Sequence, residues 1–367
     1  MIEKTRILYA ITYQSHTELG LDEINGLQQL GYKCDHFDYG GKKEFKSLFK
    51  RFYLLMLNAF KLIKKIHQFK PTCIYFNSRV EYRASTRDFI TILLIKLFFH
   101  KKQYFFIKSH GSDLEVLKSQ SFFYSKIVFA FLRKYVTAWL FLSNEEINWI
   151  KSHDLIEKNR LFLTKNIVRP EKFKVDSNFR KNFRIPEDCK ILLFAGRLIE
   201  RKGVHYVVKA FAEIKKAHNC ILIIIGDGEE LPNVQNMVQT LGIENNVILT
   251  GWIDEKKVAY YTSNSDLLVF PTFFPEGFPM VLFNSLAAGL SIVTTPIRAA
   301  KDYLTEPENC LWVESKSSTS IKNAVTQLLD NPDLMEKMRI NNKARSHLFT
   351  RDVVSKELSL IFDSCCK

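Results

Sequence analysis

The chain has 367 residues, a net charge of +14 and 46% hydrophobic residues, which is enough apolar material for two separate cores. Its seven cysteines are scattered and odd in number, and none forms a Cys-x-x-Cys pair, which argues against a disulfide framework or zinc site and favours a reducing compartment. Met1 leads straight into a strand pattern, and no apolar run reaches the roughly 18 residues that span a bilayer. These features predict a cytoplasmic protein. They leave open whether it attaches peripherally to the inner face of the plasma membrane.

The positive charge is concentrated in the first half of the chain. Residues 1–170 hold 28 Lys/Arg and 15 Asp/Glu, whereas residues 171–367 hold 25 and 24. This asymmetry indicates a polyanionic partner, which could be nucleic acid, an acidic membrane or an anionic substrate. No nucleic-acid recognition motif appears and the aromatic residues follow core spacing, so nucleic acid is not expected as a partner.

The first half alternates apolar strand patterns with helical patterns. Continuous apolar strands between helices are typical of a parallel sheet that is buried on both faces. Residues 1–168 are therefore predicted to form a doubly wound, Rossmann-like domain. Its predicted strands are 6–11, 33–37, 72–76, 103–108, 138–142 and 160–163, and its helices lie near 18–30, 45–69, 85–99, 121–136 and 144–152.

Two of these helices combine basic and aromatic residues. The stretch 46–69 has an amphipathic apolar set that includes Phe49 and Phe52, with six Lys/Arg elsewhere around the helix. The stretch 121–136 carries aromatic residues among three basic ones. Such helices suit an interfacial site on an anionic membrane. They could equally pack on the sheet with solvated basic faces, and the sequence leaves both interpretations open.

The second half repeats the same rhythm after a linker. Residues 169–189 contain Pro170, Pro186 and mixed charge without clear periodicity, so we predict a linker there. Residues 190–350 are predicted to form a second Rossmann-like domain, and the tail 351–367 is predicted to be helical. The predicted strands are 191–195, 220–225, 246–250, 267–270 and 291–294, and the helices lie near 203–217, 229–241, 254–262, 279–288, 317–329 and 333–346.

The most informative motif is the run from Pro271 to Gly289. A short apolar strand ends in a loop with one acidic residue, Glu276, and an apolar helix follows. Backbone N–H groups at a helix start bind phosphate, and a carboxylate beside them can accept hydrogen bonds from sugar hydroxyls. This turn therefore points to a phosphorylated sugar. Its predicted donor-binding residues are Gly277, Phe278, Pro279, Met280 and Val281.

A second motif, from Phe194 to Gly203, places Arg197 and Lys202 in the loop after a buried strand. Open α/β sheets bind ligands at the carboxyl ends of their strands. Two cations five residues apart can neutralise a diphosphate without a metal, and the chain has no Asp-x-Asp that would indicate a metal site. The alternative is a solvated basic loop.

Together these segments resemble the family 4 retaining glycosyltransferases of the GT-B fold. The resemblance covers the second half in order and extends weakly into the first half through Ser109-His110-Gly111. It implies two doubly wound domains that face each other across a cleft, with the tail 351–367 packing back on the first domain. The matching residues are Gly196-Arg197-Leu198, Lys202-Gly203, Gly226-Asp227-Gly228, Gly251-Trp252-Ile253 and Pro271–Gly289.

The resemblance also implies an activity and residue roles. A hexose-type sugar would pass, with retention, from a UDP- or GDP-sugar to a lipid-linked or glycan acceptor in polysaccharide or glycoconjugate assembly, without a cofactor. Further donor contacts would come from Gly196, Gly226, Trp252 and Ile253. Apart from the resemblance, the polar loop Thr12–Gly20 after the first strand ends at a helix start, where Gly20 is a weaker candidate for close approach of a phosphate or acceptor. The implied catalytic residues are Glu276, Arg197, Lys202 and His110.

One position departs from the family pattern. The family has two glutamates separated by seven residues, and the second position here is Asn284. An amide keeps one acceptor for a ribose hydroxyl but lacks the charge that would hold two. We expect weaker or altered nucleotide binding, and the alternative is a catalytically weakened nucleotide-sugar-binding protein of the same fold. An epimerase or phosphorylase would need its own acid/base pair or cofactor lysine, and neither is evident.

Overall fold

The computed structural model describes residues 5–11, 17–40, 47–99, 101–118 and 121–366. These residues form two six-stranded parallel sheets. The chain divides into two compact units. Unit 1 holds Met1–Ile167, Glu276–Phe278 and Arg351–Lys367, and unit 2 holds Val168–Pro275 and Pro279–Thr350. Over the described ranges, no helix combines the length and apolar character that crossing a bilayer requires.

The sheet of unit 1 has the strand order β2-β1-β3-β4-β5-β6. β2 lies on one side of β1, whereas β3 and the later strands lie on the other side. The boundary between β1 and β3 is therefore a topological switch point. The strands are β1 (Arg6–Ile11), β2 (Lys33–Asp38), β3 (Cys73–Val80), β4 (Tyr104–Ser112), β5 (Val136–Phe141) and β6 (Leu161–Leu163). The helices are α1 (Thr17–Gln29), α2 (Leu48–Phe69), α3 (Tyr82–Phe98), a π-helical segment (Phe123–Phe129) continued by α4 (Ala130–Tyr135), and α5 (Asn144–Ser152).

Alternating residues of β1 enter two different cores, because side chains of a strand point to opposite faces of its sheet. Leu8 and Ala10 join the core beneath α2, α3 and α4. Ile7, Tyr9 and Ile11 join the core on the opposite face, beneath α1. The sheet is therefore buried on both faces, as the continuous apolar strands predict.

Unit 2 has the strand order β12-β11-β10-β7-β8-β9. Its switch point lies between β7 and β10, which pair in parallel through Leu192 and Leu267. The strands are β7 (Lys190–Ala195), β8 (Cys220–Ile225), β9 (Val247–Gly251), β10 (Leu267–Phe270), β11 (Ser291–Thr294) and β12 (Leu311–Trp312). The helices are α6 (Phe179–Phe183), α7 (Val204–Ile214), α8 (Leu231–Thr240), α9 (Glu255–Ser263), α10 (Met280–Ala288), α11 (Ala299–Tyr303), α12 (Ser318–Leu329) and α13 (Pro332–Arg345).

The C-terminal helix α14 (Arg351–Cys365) packs on the α1 side of unit 1. Leu358 and Phe362 are buried in the same core as Ile7. A Cβ atom on Gly26 of α1 would lie 1.9 Å from Ser355 Oγ, so glycine is required there for the two helices to pack this closely. Arg351 and Asp22 form an ion pair at 2.8 Å.

Three local features differ from the sequence-based expectation. β4 continues through Ser109–Ser112, beyond the predicted strand 103–108, because β3 also extends and pairs Ser78 with Ser109. The expected linker 169–189 contains α6, whose Phe179 packs against Tyr261 at a ring distance of 5.8 Å. The short elements α11 and β12 were not predicted, since so few residues carry no readable periodicity.

Candidate active site

The first motif and the beginning of the second meet at the switch point of unit 2. The loop after β7 and the loop after β10 are joined through the carbonyl oxygen of Arg201, which accepts hydrogen bonds from the Phe273 N–H at 2.9 Å and the Phe274 N–H at 3.1 Å. A Cβ atom on Gly203 would lie 2.7 Å from the Pro271 carbonyl oxygen. Glycine is thus needed where these loops touch, and its φ of +77° also favours glycine.

Lys202 is the most unusual side chain of this region. It is only 6% exposed, and its Nζ lies 5.3 Å from the centre of the Phe270 ring and 5.5 Å from that of Phe274. Burial, and then the positive charge of Arg197, lower the pKa of Lys202 from 10.5 to about 7. Arg197 itself is exposed at the end of β7. The ammonium is therefore held in a setting that an anionic ligand would stabilise.

Glycines bring three strand ends of unit 2 into close contact. The Gly196 N–H donates to the Ile225 carbonyl at 2.9 Å, and the Gly226 N–H donates to the Gly251 carbonyl at 3.0 Å. A Cβ atom on Gly226 would lie only 1.8 Å from the Gly196 carbonyl oxygen. The carboxyl ends of β7, β8 and β9 thus lie side by side, and their half-buried glycines leave backbone that a phosphate or sugar can approach closely.

Trp252 and Ile253 follow Gly251 at the end of β9, the edge strand of this sheet. Trp252 is 77% exposed, so its indole is not part of the core. Ile253 is half-buried. An exposed aromatic ring at a strand end can stack on a planar ligand group, and the sequence assigned this position to donor binding.

The Glu276–Phe278 turn is grouped with unit 1. There, a Cβ atom on Gly277 would lie 3.2 Å from Leu142 Cβ and 3.5 Å from the carboxylate oxygen Oε2 of Glu146. Glu276 is half-buried and Phe278 is buried. The turn is thus seated beside the start of α5, at the carboxyl end of the unit 1 sheet.

Helix α10 begins one residue later than expected, at Met280, with Pro279 as its N-terminal flanking residue. The carbonyl oxygen of Pro279 accepts the first helical hydrogen bond, from the Leu282 N–H at 3.0 Å. Met280, Val281 and Asn284 are half-buried, which leaves part of each side chain accessible. The helix ends at Gly289, whose φ is +76°.

In unit 1, His110 lies near the end of β4 and its Nε2 is hydrogen-bonded to Asn77 Oδ1. The Ser109 hydroxyl accepts from the Val80 N–H at 3.2 Å and bonds to Ser112 Oγ at 2.9 Å, so this serine is a structural part of the strand irregularity. Sequence reasoning missed Asn77. A polar residue at the end of the apolar run of β3, beside the switch point, was the available signal.

Gly20 is a buried residue of α1 and not a loop glycine. A Cβ atom there would lie 2.7 Å from Ile11 Cδ1, so its small size allows α1 to pack on the end of β1. This packing explains the glycine without a ligand. The remainder of the predicted first-strand loop, Thr12–His16, lies outside the described residues.

The structure therefore joins only part of the predicted site. In unit 2 it places Arg197, Lys202, Gly196, Gly226 and Trp252 at the carboxyl ends of adjacent strands. The residues His110, Gly20, Glu276, Gly277 and Phe278 belong to unit 1. That both sets serve one bound donor remains a prediction.

Comparison with known proteins is consistent with this geometry. The profile of the family described as "Glycosyl transferases group 1" matches residues 175–345. An uncharacterized glycosyltransferase of Methanocaldococcus jannaschii is 27% identical over 49% of this chain and 46% of its own length. The capsular polysaccharide biosynthesis glycosyltransferase CapM of Staphylococcus aureus is 24% identical over 70% of this chain and 69% of its own. The chain spans 46 to 65% of the length of three M. jannaschii relatives.

The fold is shared with solved structures over nearly the whole chain. The crystal structure of Anabaena HepE in complex with UDP and glucose matches with a TM-score of 0.77 at 14% identity, covering 98% of this chain and 100% of that one. This likeness confirms the predicted GT-B class of α/β fold. Over residues 175–345, the second half of this chain is similar to the glycosyl transferases group 1 family.

Proposed function

We propose that this protein is a retaining glycosyltransferase that moves a hexose-type sugar from a nucleotide-diphosphate sugar to a lipid-linked or glycan acceptor. The observation that carries this proposal is the buried Lys202 beside Arg197 at the switch point of unit 2. The naming of CapM for capsular polysaccharide biosynthesis supports a role in polysaccharide assembly, and the UDP and glucose bound by HepE support a UDP-sugar over a GDP-sugar.

Lys202 and Arg197 would stabilise the leaving diphosphate. Electrostatic stabilisation of charge that develops in the transition state usually contributes more to catalysis than any other single effect. Because its pKa is near 7, Lys202 is only partly protonated at neutral pH, and an anionic group that binds beside it favours the charged ammonium where burial makes the charge most effective. Backbone amides at 277–281 would add hydrogen bonds of the kind that helix starts offer to phosphate. We propose that these groups act without a metal ion.

Glu276 and His110 would position the sugar. A carboxylate that accepts hydrogen bonds from sugar hydroxyls raises the fraction of bound donor in a reactive geometry. The sequence places no carboxylate as an obvious nucleophile for the anomeric carbon. We therefore propose that the acceptor oxygen bonds to the anomeric carbon on the face from which the diphosphate oxygen departs. A leaving-group oxygen takes the acceptor proton, and the configuration is retained.

Asn284 supports a second candidate function. A nucleotide-sugar-binding protein with little transferase activity would need the donor contacts but not a charged acceptor for both ribose hydroxyls. In either case we propose that the exposed Trp252 and the half-buried Ile253 contact the nucleobase.

The test begins with donor identity. Stabilisation by UDP, GDP, UDP-glucose, UDP-N-acetylglucosamine and GDP-mannose is measured as a shift in melting temperature, since a ligand that binds the folded state raises it. We expect a UDP-sugar to give the largest shift. The preferred donor is then incubated with lipid-linked and glycan acceptors, with and without EDTA, and the anomeric configuration of the product is read by NMR.

The variant Glu276→Ala distinguishes a glycosyltransferase from a protein that only binds nucleotide sugars. An enzyme loses transfer and donor hydrolysis in this variant, whereas a binder shows neither activity in wild type. A matched change at Glu336, on α13, controls for loss of a carboxylate elsewhere. Transfer that EDTA abolishes would contradict metal independence, and an inverted product would contradict retention.

A further inference from the structure

One layer of unit 1 exposes many large apolar side chains. Within the described ranges, ten of the fifteen exposed large hydrophobic residues lie on α2, on α3 or at 122–127. Exposed apolar patches of this kind are uncommon in proteins that stay free in solution, and they mark interaction sites. We call these ten residues the aromatic face: Phe49, Phe52, Tyr53, Phe60, Tyr82, Leu97, Phe98, Phe122, Phe123 and Ile127.

The aromatic face extends over three elements that contact one another. Phe60 of α2 lies against Phe98 of α3 at a ring distance of 5.9 Å. Tyr82 of α3 lies against Tyr124 of the π-helical segment at 4.7 Å. All three elements also contribute to the same core on the same face of the sheet. The exposed rings therefore cover one side of unit 1.

Helix α2 shows why these rings stay outside. Its inner face is formed by Ala59, Leu62 and Ile66, which are at most 1% exposed. Phe49, Phe52, Tyr53 and Phe60 follow the i, i+3, i+4, i+11 spacing of one helix face, a different face from the buried one. Phe49 is 84% exposed. The helix thus has a second apolar stripe that the sheet does not cover.

Basic residues flank this stripe. Lys50, Lys61 and Lys64 of α2 are exposed, whereas Lys65 pairs with Asp35. Lys126, Arg133 and Lys134 are exposed beside the second part of the face. From residue 45 to 143 the sequence holds 18 Lys/Arg and 4 Asp/Glu. The partner that matches this layer is apolar at its centre and negatively charged at its rim.

We propose that the aromatic face docks on the surface of an anionic phospholipid bilayer. Aromatic rings of an amphipathic helix lie at the boundary between headgroups and acyl chains, and flanking lysines reach the lipid phosphates. Each basic residue near such a surface strengthens binding by about fivefold. Docking goes beyond the proposed transfer reaction and would bring the protein to a lipid-linked acceptor.

A second copy of this chain fits the face less well. Two copies that met through it would bring two strongly basic layers together, and like charges across an interface are repulsive. An anionic bilayer provides the opposite charge over the whole face. The charge pattern therefore favours binding to an anionic bilayer over self-association.

The test is co-flotation of the full chain with vesicles of 70% phosphatidylcholine and 30% phosphatidylglycerol in 100 mM NaCl. It needs neither donor nor acceptor, so its result is independent of the proposed activity. We expect wild type to float, and to float less at 500 mM NaCl or with phosphatidylcholine alone, because salt screens the charges. The triple variant Lys50→Glu/Lys61→Glu/Lys64→Glu should bind on the order of a hundredfold more weakly. Phe49→Ser/Phe52→Ser/Tyr53→Ser should bind at least tenfold more weakly.

The control variant Lys337→Glu/Ile340→Ser changes an exposed lysine and a 60% exposed isoleucine on α13 of unit 2. It should float as wild type does. Circular dichroism and melting temperature establish that every variant is folded. Failure of wild type to float, or equal flotation of the triple variants and wild type, overturns the proposal. A wild-type dimer in sedimentation that Phe49→Ser/Phe52→Ser/Tyr53→Ser converts to a monomer, without flotation of either, also overturns it in favour of self-association.

Discussion

The two units use their residues in different ways. In unit 2 the candidate site is built from strand ends in which backbone atoms nearly touch, as at Gly196, Gly203 and Gly226. In unit 1 the aromatic face is built from exposed side chains on helices, which do not pack into the core. Function that depends on backbone geometry restricts residue types at fixed spacings. Function that depends on surface composition does not restrict residue types at fixed spacings. It is therefore recognised by a pattern of charge and exposure and not by a sequence motif.

The largest expected effect is on the proposed transfer reaction. Arg197→Ala and Lys202→Ala should each lower kcat/KM for transfer about 100- to 1,000-fold, because in the proposed reaction each cation stabilises the charge that develops on the diphosphate. The measurement is initial-rate kinetics with a saturating acceptor. Lys337→Ala, an exposed lysine of the same unit, should stay within twofold of wild type. A loss below tenfold at both Arg197 and Lys202 would place the diphosphate elsewhere.

The next effect tests how tightly the strand ends of unit 2 are joined. Gly226→Ala should lower the free energy of unfolding by about 3 kcal/mol or more, since its Cβ would lie 1.8 Å from the Gly196 carbonyl oxygen. Gly242 is the matched control. It also has a positive φ, +65°, but a Cβ there would meet no heavy atom of the described residues within 4 Å. Gly242→Ala should cost only about 1 kcal/mol of backbone strain, and equal losses in denaturant unfolding would contradict the close approach.

A smaller effect concerns the cost of burying Lys202. Its pKa is lowered from 10.5 to about 7, so between these pH values the folded state binds fewer protons than the unfolded state. The stability contributed by this site therefore rises with pH from about 7 to 10.5 and is lowest at or below pH 7. Lys202→Met removes the penalty and should raise the free energy of unfolding at pH 7 by about 1 to 2 kcal/mol.

Thermal unfolding of wild type and Lys202→Met between pH 6 and pH 10 checks this sign. The advantage of the methionine variant should be greatest at or below pH 7 and shrink toward pH 10. Lys202→Arg, which keeps the charge at every pH, should be no more stable than wild type. A methionine variant that is less stable than wild type at pH 7 would contradict the burial of an unfavourable charge.

The smallest expected effect is at Asn284. Asn284→Glu introduces a charged acceptor for ribose hydroxyls and should tighten nucleotide binding about five- to twentyfold, because charge-assisted hydrogen bonds are stronger than neutral ones. Titration calorimetry with UDP measures it, with Asn284→Asp as a variant of equal charge but shorter reach. Unchanged affinity in Asn284→Glu would show that α10 does not hold the ribose.

Several elements were readable from the sequence because their signals are local. The bounds of β1, β8, β10 and β11 agree with the predicted strands, since strands buried on both faces are rich in apolar residues. Glycines at strand ends were also predicted from their positions along the chain. The role of Gly20 in packing could not be predicted, because it depends on a contact with Ile11 that the sequence does not reveal.

The sequence by itself determined the alternation of strands and helices, the asymmetry of charge, and the resemblance of the second half to a glycosyltransferase family. Each follows from the residue type at a position and its neighbours along the chain. Only the tertiary structure decided that Lys202 is buried between aromatic rings while Phe49 and Phe52 are exposed. Burial depends on which elements pack together, and amphipathic periodicity cannot tell which of two apolar helix faces meets the sheet.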